Sequence, residues 1–416
     1  MMRAQSSLAD SLRERITQLE GVAKIEALRD LSEALENDSY EAALKAAQEA
    51  VLLSRELDDP RQLGVSLSNL AIIHDLFARY PKALDAFREA ADLLPRHGQP
   101  KEIANNNIYM GMGYFHIGEV DSGLKYVQAG KEQFAVLKDS LGYSESLNSL
   151  GLIQQGSGAY TEATNSFFEA IKWAPRNHKS HIIGNIGILF MQLQEHEKAL
   201  EYFHQCYTLE KQKNARIDIG YTLGYIGTAH YYMRQLDSAK HYYQQAIDWN
   251  LETGHLEMTQ SVLAGMLKVL VLEGKKTEAF QMIEELSARA TKDQAYRAWI
   301  PDAKWTAYRM LGETDSAIKY LHQTIESKQK RGDWSSTYSN AQNLAQLYRD
   351  QGKYEEALVA YQIYMEARDS LFSTERTEII QELNTQYETE KREAEIVALR
   401  KEQENERFRT RAWIVG

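Results

Sequence analysis

The chain has 416 residues, 43% hydrophobic and 26% charged, so it can bury a core and is not disordered along its length. Its net charge of −11 argues against a nucleic-acid-binding surface as its main business. A single cysteine, Cys206, rules out an internal disulfide framework without choosing a compartment, and only 6 prolines favour helix throughout.

Residues 1–20 are expected to form an N-terminal capping helix. The opening MMRAQSSLADSLRER has no apolar run of the signal-peptide kind. Its small-residue junction Ala4-Gln5-Ser6 fits both the start left by a removed signal and an ordinary frayed terminus. No stretch reaches the roughly 18 consecutive apolar residues that span a bilayer.

From residue 21 to 370 one skeleton recurs. Small residues stand at Ala43, Ala83, Gly123, Ala163, Ala199, Ala239, Ala279, Ala317 and Ala357, at successive spacings of 40, 40, 40, 36, 40, 40, 38 and 40. Four residues on come Phe87, Val127, Phe167, Phe203, Tyr243, Leu321 and Tyr361. Twelve residues back come Ala71, Gly111, Gly151, Gly187, Gly227 and Ala345, each after an apolar residue. The pattern predicts helical hairpins: two small residues let the backbones of a first and a second helix approach, and the aromatic fills the space beside them. Turns such as GSGAY and DQGKYEEA supply the short connections, and Pro175 should end a second helix. The 36-residue step after Pro175 should disturb the stacking locally. Lys304-Trp305, where an apolar-small pair is expected, marks the seventh and eighth units as degenerate.

The skeleton L-x2-L-G-x11-A-x3-F-x2-A, ending in Pro, resembles the tetratricopeptide repeat, with Leu147 in the usual Trp place and Gln154 in the usual Tyr place. The resemblance covers residues 24–370, with units about six residues longer than the usual period of about 34. It implies an all-α fold: a right-handed superhelical solenoid of about nine hairpins of roughly 40 residues, followed by a long C-terminal helix. Longer helices of this kind occur in tetratricopeptide families that bind extended peptides.

Residues 371–411 are dense in Glu, Lys, Arg and Gln, with Ile380, Leu383 and Tyr387 at helical spacing and Ile396 and Leu399 resuming it with a shift. One long helix is expected there, capping the array and then pairing as a coiled coil, which would make a homodimer; a solvated cap without a partner is the alternative. Trp413, Ile414 and Val415 read as the first turn of a membrane span starting at residue 412, a Trp suiting the interface. The phrase LNTQYETEKREAEIVAL resembles the juxtamembrane linker of Bacteroidetes-type sensors, which carry a tetratricopeptide array, a membrane helix, and a histidine kinase or helix-turn-helix output. That resemblance implies the extracytoplasmic face of the inner membrane. Arg407, Arg409 and Arg411 just before the suspected span oppose it and favour the cytoplasm.

The first helices of such an array line its concave face, the default binding surface. Asn69, Asn185 and Asn343 stand directly before the apolar-small pair, and Asn148 one position earlier. A carboxamide donates and accepts at once, so it can hold a ligand's main chain, as the tetratricopeptide resemblance implies, or bond a neighbouring helix. Tyr109, Phe115, Tyr221, Tyr225, Tyr231 and Tyr232 are the aromatic candidates on the same face, with inter-helix packing as the other reading. Ser68, Ile72, Tyr109, Glu145 and Ser149 stand where a carboxylate clamp would need Lys and Arg. His178 and His181 lack a Cys or carboxylate at metal-ligand spacing, His74 and His230 recur at a packing register, and Cys206 reads as a small buried hydrophobe. No phosphate-cradling glycine loop or nucleophile elbow is present. The expectation is a non-enzymatic module, without cofactor or metal, that binds a peptide or protein and relays the event through residues 371–411. A scaffold for protein assembly is the alternative.

Overall fold

The computed structural model describes residues 2–35, 40–77, 79–213, 216–253, 256–290, 300–330 and 334–369; the expectations for 371–411 and 412–416 lie outside them. All regular structure among these residues is helical. The chain divides into two compact units, Met1–Glu285 and Leu286–Gly416, and the hairpins expected over 21–370 fall in both.

In the first unit, α1 (Met2–Ile16) packs on the first of seven hairpins. These are α2 (Gly21–Leu35) with α3 (Tyr40–Glu56), α4 (Pro60–Leu76) with α5 (Tyr80–His97), and α6 (Pro100–His116) with α7 (Val120–Leu137). Then follow α8 (Ser140–Gly156) with α9 (Tyr160–Trp173), α10 (Lys179–Gln192) with α11 (His196–Lys213), α12 (Arg216–Tyr232) with α13 (Leu236–Thr253), and α14 (Leu256–Leu272) with α15 (Lys276–Ala290). The second unit holds α16 (Ile300–Met310), α17 (Thr314–Lys330), α18 (Trp334–Asp350) and α19 (354–369). Each first helix from α2 to α12 also touches the first helix of the next hairpin, so within the first unit the helices α2, α4, α6, α8, α10, α12 and α14 form one continuous layer.

The repeated small residue is buried in every second helix except α19, where Ala357 is half-buried. The glycines opposite it explain the aromatic. A Cβ added at Gly151 would fall 2.6 Å from the Phe167 ring, at Gly187 2.5 Å from Phe203, and at Gly227 2.7 Å from Tyr243. The ring of the second helix lies where a side chain of the first would be, which is why glycine and aromatic travel together. Tyr361 departs from the rule: it is exposed and stacks on Tyr364 at 5.1 Å.

The first helix of a hairpin ends in a left-handed residue seven positions after its small one, which Gly118 and Gly158 adopt without strain. Gln194 and Arg234 hold the same conformation at the same register (φ 61° in each). The 36-residue step is taken up by both flanking helices. After α9, Pro175 leads into a 3-10 turn (Arg176–His178), and α9 and α10 have 14 residues each where α8 has 17. The degenerate eighth hairpin keeps a core: Trp305 is buried with Ile318, Leu321, Ile325 and Leu344, and its indole donates to Asp302 at 2.8 Å.

One buried position looks costly. Asn250 stands on α13 at the register of Leu94 on α5, lies against Gly220 as Leu94 lies against Gly64, and is fully buried with neither carboxamide atom hydrogen-bonded. An orphaned buried carboxamide costs about 1–3 kcal/mol. Asn250→Leu is therefore expected to stabilise the protein by about that amount in denaturant unfolding. A destabilised variant would mean that the amide is satisfied by bound water.

Candidate ligand-binding face

The accessible face of the first-helix layer follows from helix periodicity. Counting from the small residue of each first helix, positions −6, −2, +1 and +5 share one side. On α12 these are Tyr221, Tyr225, Thr228 and Tyr232; on α6 they are Asn105, Tyr109, Met112 and His116. The tyrosines are open to solvent: Tyr109 is 44% exposed, Tyr221 51%, Tyr225 37% and Tyr232 56%.

Three of these rings also pack. Tyr109 stacks on Phe87 of the preceding hairpin at 6.5 Å and 3°, and Tyr225 stacks on Phe203 at 5.2 Å and 10°. The −2 tyrosine thus roofs the core aromatic before it and shows its other face to solvent. Burial pushes the Tyr225 hydroxyl above its ordinary pKa. Tyr232 stacks on His196 at 5.2 Å. The other two aromatic candidates share the +4 register and leave the stripe. Phe115 is half-buried in the core with Ile153 and Val127, its ring filling the space beside Gly156. Tyr231 is half-buried and meets Tyr232 edge-on.

The asparagines divide. Asn185 Nδ2 donates to Asn148 Oδ1 at 2.9 Å, joining α10 to α8. Asn69 is buried with its Oδ1 unbonded, and Asn343 donates to the Ser339 carbonyl of its own helix at 3.1 Å. The Asn148–Asn185 bond belongs to a set joining successive first helices. Arg29 donates to Gln62 at 2.7 Å, Ser68 to Asn106 at 2.7 Å, and Gln155 to Gln192 at 2.9 Å. Asn106, buried and also donating to the Phe87 carbonyl, was not legible as a site residue because its register differs from that of the four asparagines.

The −6 register carries charge that single-helix spacing missed. His181 lies 3.1 Å from Glu145 Oε2, and His178 Nδ1 lies 3.9 Å from Glu145 Oε1. The carboxylate absent from their neighbourhood in sequence comes from α8, one repeat earlier. No group of three metal-ligating side chains occurs among the described residues. Asp218, on α12, has its pKa raised by burial against the pull of Lys213 and His181.

Cys206 is more than a small hydrophobe. Its single S–H faces two acceptors, the Ser180 carbonyl at 3.1 Å and Glu210 Oε1 at 3.0 Å, and the Thr222 hydroxyl donates to the same carboxyl oxygen at 3.1 Å. Burial pushes both the Cys206 thiol and the Glu210 carboxyl up in pKa, so the carboxyl is shifted toward its neutral form. His74 and His230 are buried packing residues. His230 stacks on Tyr242 at 5.3 Å, a pairing that recurs three residues after the small residue of each helix: Tyr114–Tyr126 at 5.3 Å, Phe190–Tyr202 at 5.4 Å and Tyr308–Tyr320 at 5.4 Å.

Tetratricopeptide repeat family models match residues 182–217, 224–253 and 341–362, in register with α10–α11, α12–α13 and α18–α19. The chain is a tetratricopeptide repeat protein. A further family model, anaphase-promoting complex subunit 5, matches residues 28–70, 61–101 and 125–197 of the array. Among curated proteins the array is similar to photosystem I assembly protein Ycf3 of Acaryochloris marina, 33% identical over 116 residues, 27% of this chain and 66% of that protein. It is also similar to Ycf3 of Rippkaea orientalis, 28% identical over 151 residues, 32% of this chain and 81% of that protein. The chain thus spans just under two thirds of the first relative. Two solved structures share the tetratricopeptide fold. The apo form of RapI is 14% identical, with 84% of this chain and 98% of that chain covered at a TM-score of 0.50. The apo quorum sensor NprR from B. thuringiensis is 12% identical, with 88% and 99% covered at a TM-score of 0.50.

Proposed function

We propose that the array is a binding module rather than an enzyme, and that the first-helix stripe takes an extended peptide or a flexible segment of a partner protein. One observation carries this: the stripe tyrosines, Tyr109 on α6 and Tyr221, Tyr225 and Tyr232 on α12, keep 37–56% of their surface open, although the same helices half-bury their other aromatics. Tyr supplies wide contact area and a polar tip at small entropic cost, which suits a surface that holds peptides. Glu145 and His181 at the −6 register, with Asp218 one turn earlier on α12, favour a ligand bearing cationic or hydrogen-bond-donating groups near the start of the helices.

The test is to pan a random peptide library against the protein and to measure the selected peptides against Tyr221→Ser/Tyr232→Ser, with circular dichroism to show that the fold is kept. Affinity is expected to fall at least about tenfold, the size of loss that truncating exposed aromatic anchors gives. An absence of selected peptides, or equal binding to the variant, would sink the reading.

We further propose that the module is the extracytoplasmic sensor region of a membrane-anchored signal-transduction protein, with residues 371–411 passing the binding event to an output domain. What supports this is the sequence of residues 375–416, outside the described residues. Among the described residues no helix is long and apolar enough to cross a membrane. Spin-label distances across 371–411 that stay unchanged on peptide binding would remove the relay and leave a scaffold that binds through the same face.

A further inference from the structure

The stacked pairs at the +3 register have a second partner, the residue five positions after the small one on the preceding second helix. Arg88 lies over the Tyr114 ring at 5.7 Å, Phe168 meets Tyr202 at 6.2 Å, and His204 meets Tyr242 at 5.9 Å. His322 bonds the Tyr348 hydroxyl at 2.7 Å. In each case an aromatic or cationic group from one hairpin closes the seam over the next.

The seam between α7 and α9 lacks all of these parts. Its +3 pair is Gln154 and Ser166, bonded to each other at 2.7 Å, and its +5 residue is Gln128, which turns back to Glu132 of its own helix at 2.9 Å. With no ring to fill it, the seam stays open as a groove of about 440 Å³. That volume lies within the range of about 300–1,000 Å³ usual for small-ligand sites. The groove is independent of the tyrosine stripe: Leu147, Leu150 and Gln154 stand at −4, −1 and +3 from Gly151, on the side of α8 roughly opposite Glu145, Ser149, Leu152 and Gly156.

We propose that this groove is a binding site for a small amphipathic anion, a carboxylate or phosphate on a short apolar body. Leu124, Leu147 and Leu150 give it an apolar lining, against which a few methylenes can be removed from water. Lys125 and Lys131 flank that lining, and among the described residues neither makes an ion pair. In a chain of net charge −11, two ammonium groups beside apolar surface select an anionic head over a cationic one. The carboxamide of Gln154 adds a donor at the end of the groove. Because Lys125 is exposed and Lys131 half-buried, each contributes the modest energy of a surface pair, and binding is expected in the millimolar range.

Leucine-methyl spectra of the full chain test this with hexanoate and hexyl phosphate as the probes of the two head groups. Hexylamine serves as the charge-reversed control and a hexaglutamate peptide as the macromolecular one. Saturable shifts of Leu124, Leu147 and Leu150 methyls with either anion, and none with hexylamine, are expected. Lys125→Gln/Lys131→Gln should weaken binding about fivefold, the sum of two exposed ion pairs. Gln154→Tyr/Ser166→Tyr, which restores the pair present in other hairpins, should abolish the shifts while leaving the remaining leucine spectrum unchanged. The assignment is overturned by no shift at millimolar concentration, by equal shifts with hexylamine, by indifference to the lysine substitutions, or by shifts with hexaglutamate alone.

Discussion

Phe167→Ala is expected to lower stability by about 3–5 kcal/mol, toward the upper part of that range. Phe167 is fully buried among Leu147, Ala163, Ala170, Ile182 and Ile186, so it ties α8, α9 and α10 together. Its ring occupies the space that Gly151 leaves, and a glycine has no side chain to move into the void. The cost of a cavity depends on how far its walls collapse, and here one wall is helix backbone. A long array does not unfold as one two-state unit, so hydrogen exchange of α8–α10 amides, alongside urea unfolding, is the proper readout. Phe168→Ala, one residue on, removes a ring that is 37% exposed and should cost under about 1.5 kcal/mol. Equal losses for the two variants would contradict the packing role assigned to the glycine–aromatic pair.

The second expectation concerns acid. His74 is buried on α4, and burial, with Lys82 and Arg79 nearby, lowers its pKa from 6.5 to about 4. A histidine with a depressed folded pKa contributes stability that is complete above 6.5 and is lost as the pH falls toward 4, because the unfolded chain takes up the proton first. The loss attributable to His74 is about 2–3 kcal/mol by pH 4.5. His74→Gln, which places at this register the residue found at 154, removes the titration and keeps a polar group of similar length. Unfolding midpoints at neutral and acid pH should therefore diverge less in the variant than in the parent. An identical pH slope in both would show that His74 opens to water before it is protonated.

The hairpins, their register and their small-residue contacts were legible because one physical demand, close approach of two helices, repeats along the chain and leaves a periodic trace. The short step at Pro175 was legible in length but not in form: that both neighbouring helices shorten to 14 residues depends on how α8 and α11 pack around them. The candidate face was legible in part. Tyr109, Tyr221, Tyr225 and Tyr232 announce themselves by type and register. Phe115 and Tyr231 are aromatic too, yet at +4 they stand six positions from the −2 tyrosine, which turns them about 120° away from it. The Glu145–His181 contact and the Asn148–Asn185 bond join residues 36 and 37 apart, and only the stacking of whole repeats brings them together. Cys206 was read as apolar because Glu210 and Thr222 become its partners only when α11 meets α12.

That thiol also makes the array its own clock. Cys206 is the chain's single cysteine, fully enclosed, bonded to Ser180 and Glu210, and raised in pKa, so it meets a thiol reagent only when α10, α11 and α12 part. The rate at which an alkylating reagent consumes it counts the openings of the fifth hairpin in an unlabelled native protein. A peptide that clasps Tyr221 and Tyr232 of α12, together with Glu145 and His181 on α8 and α10, would slow the count.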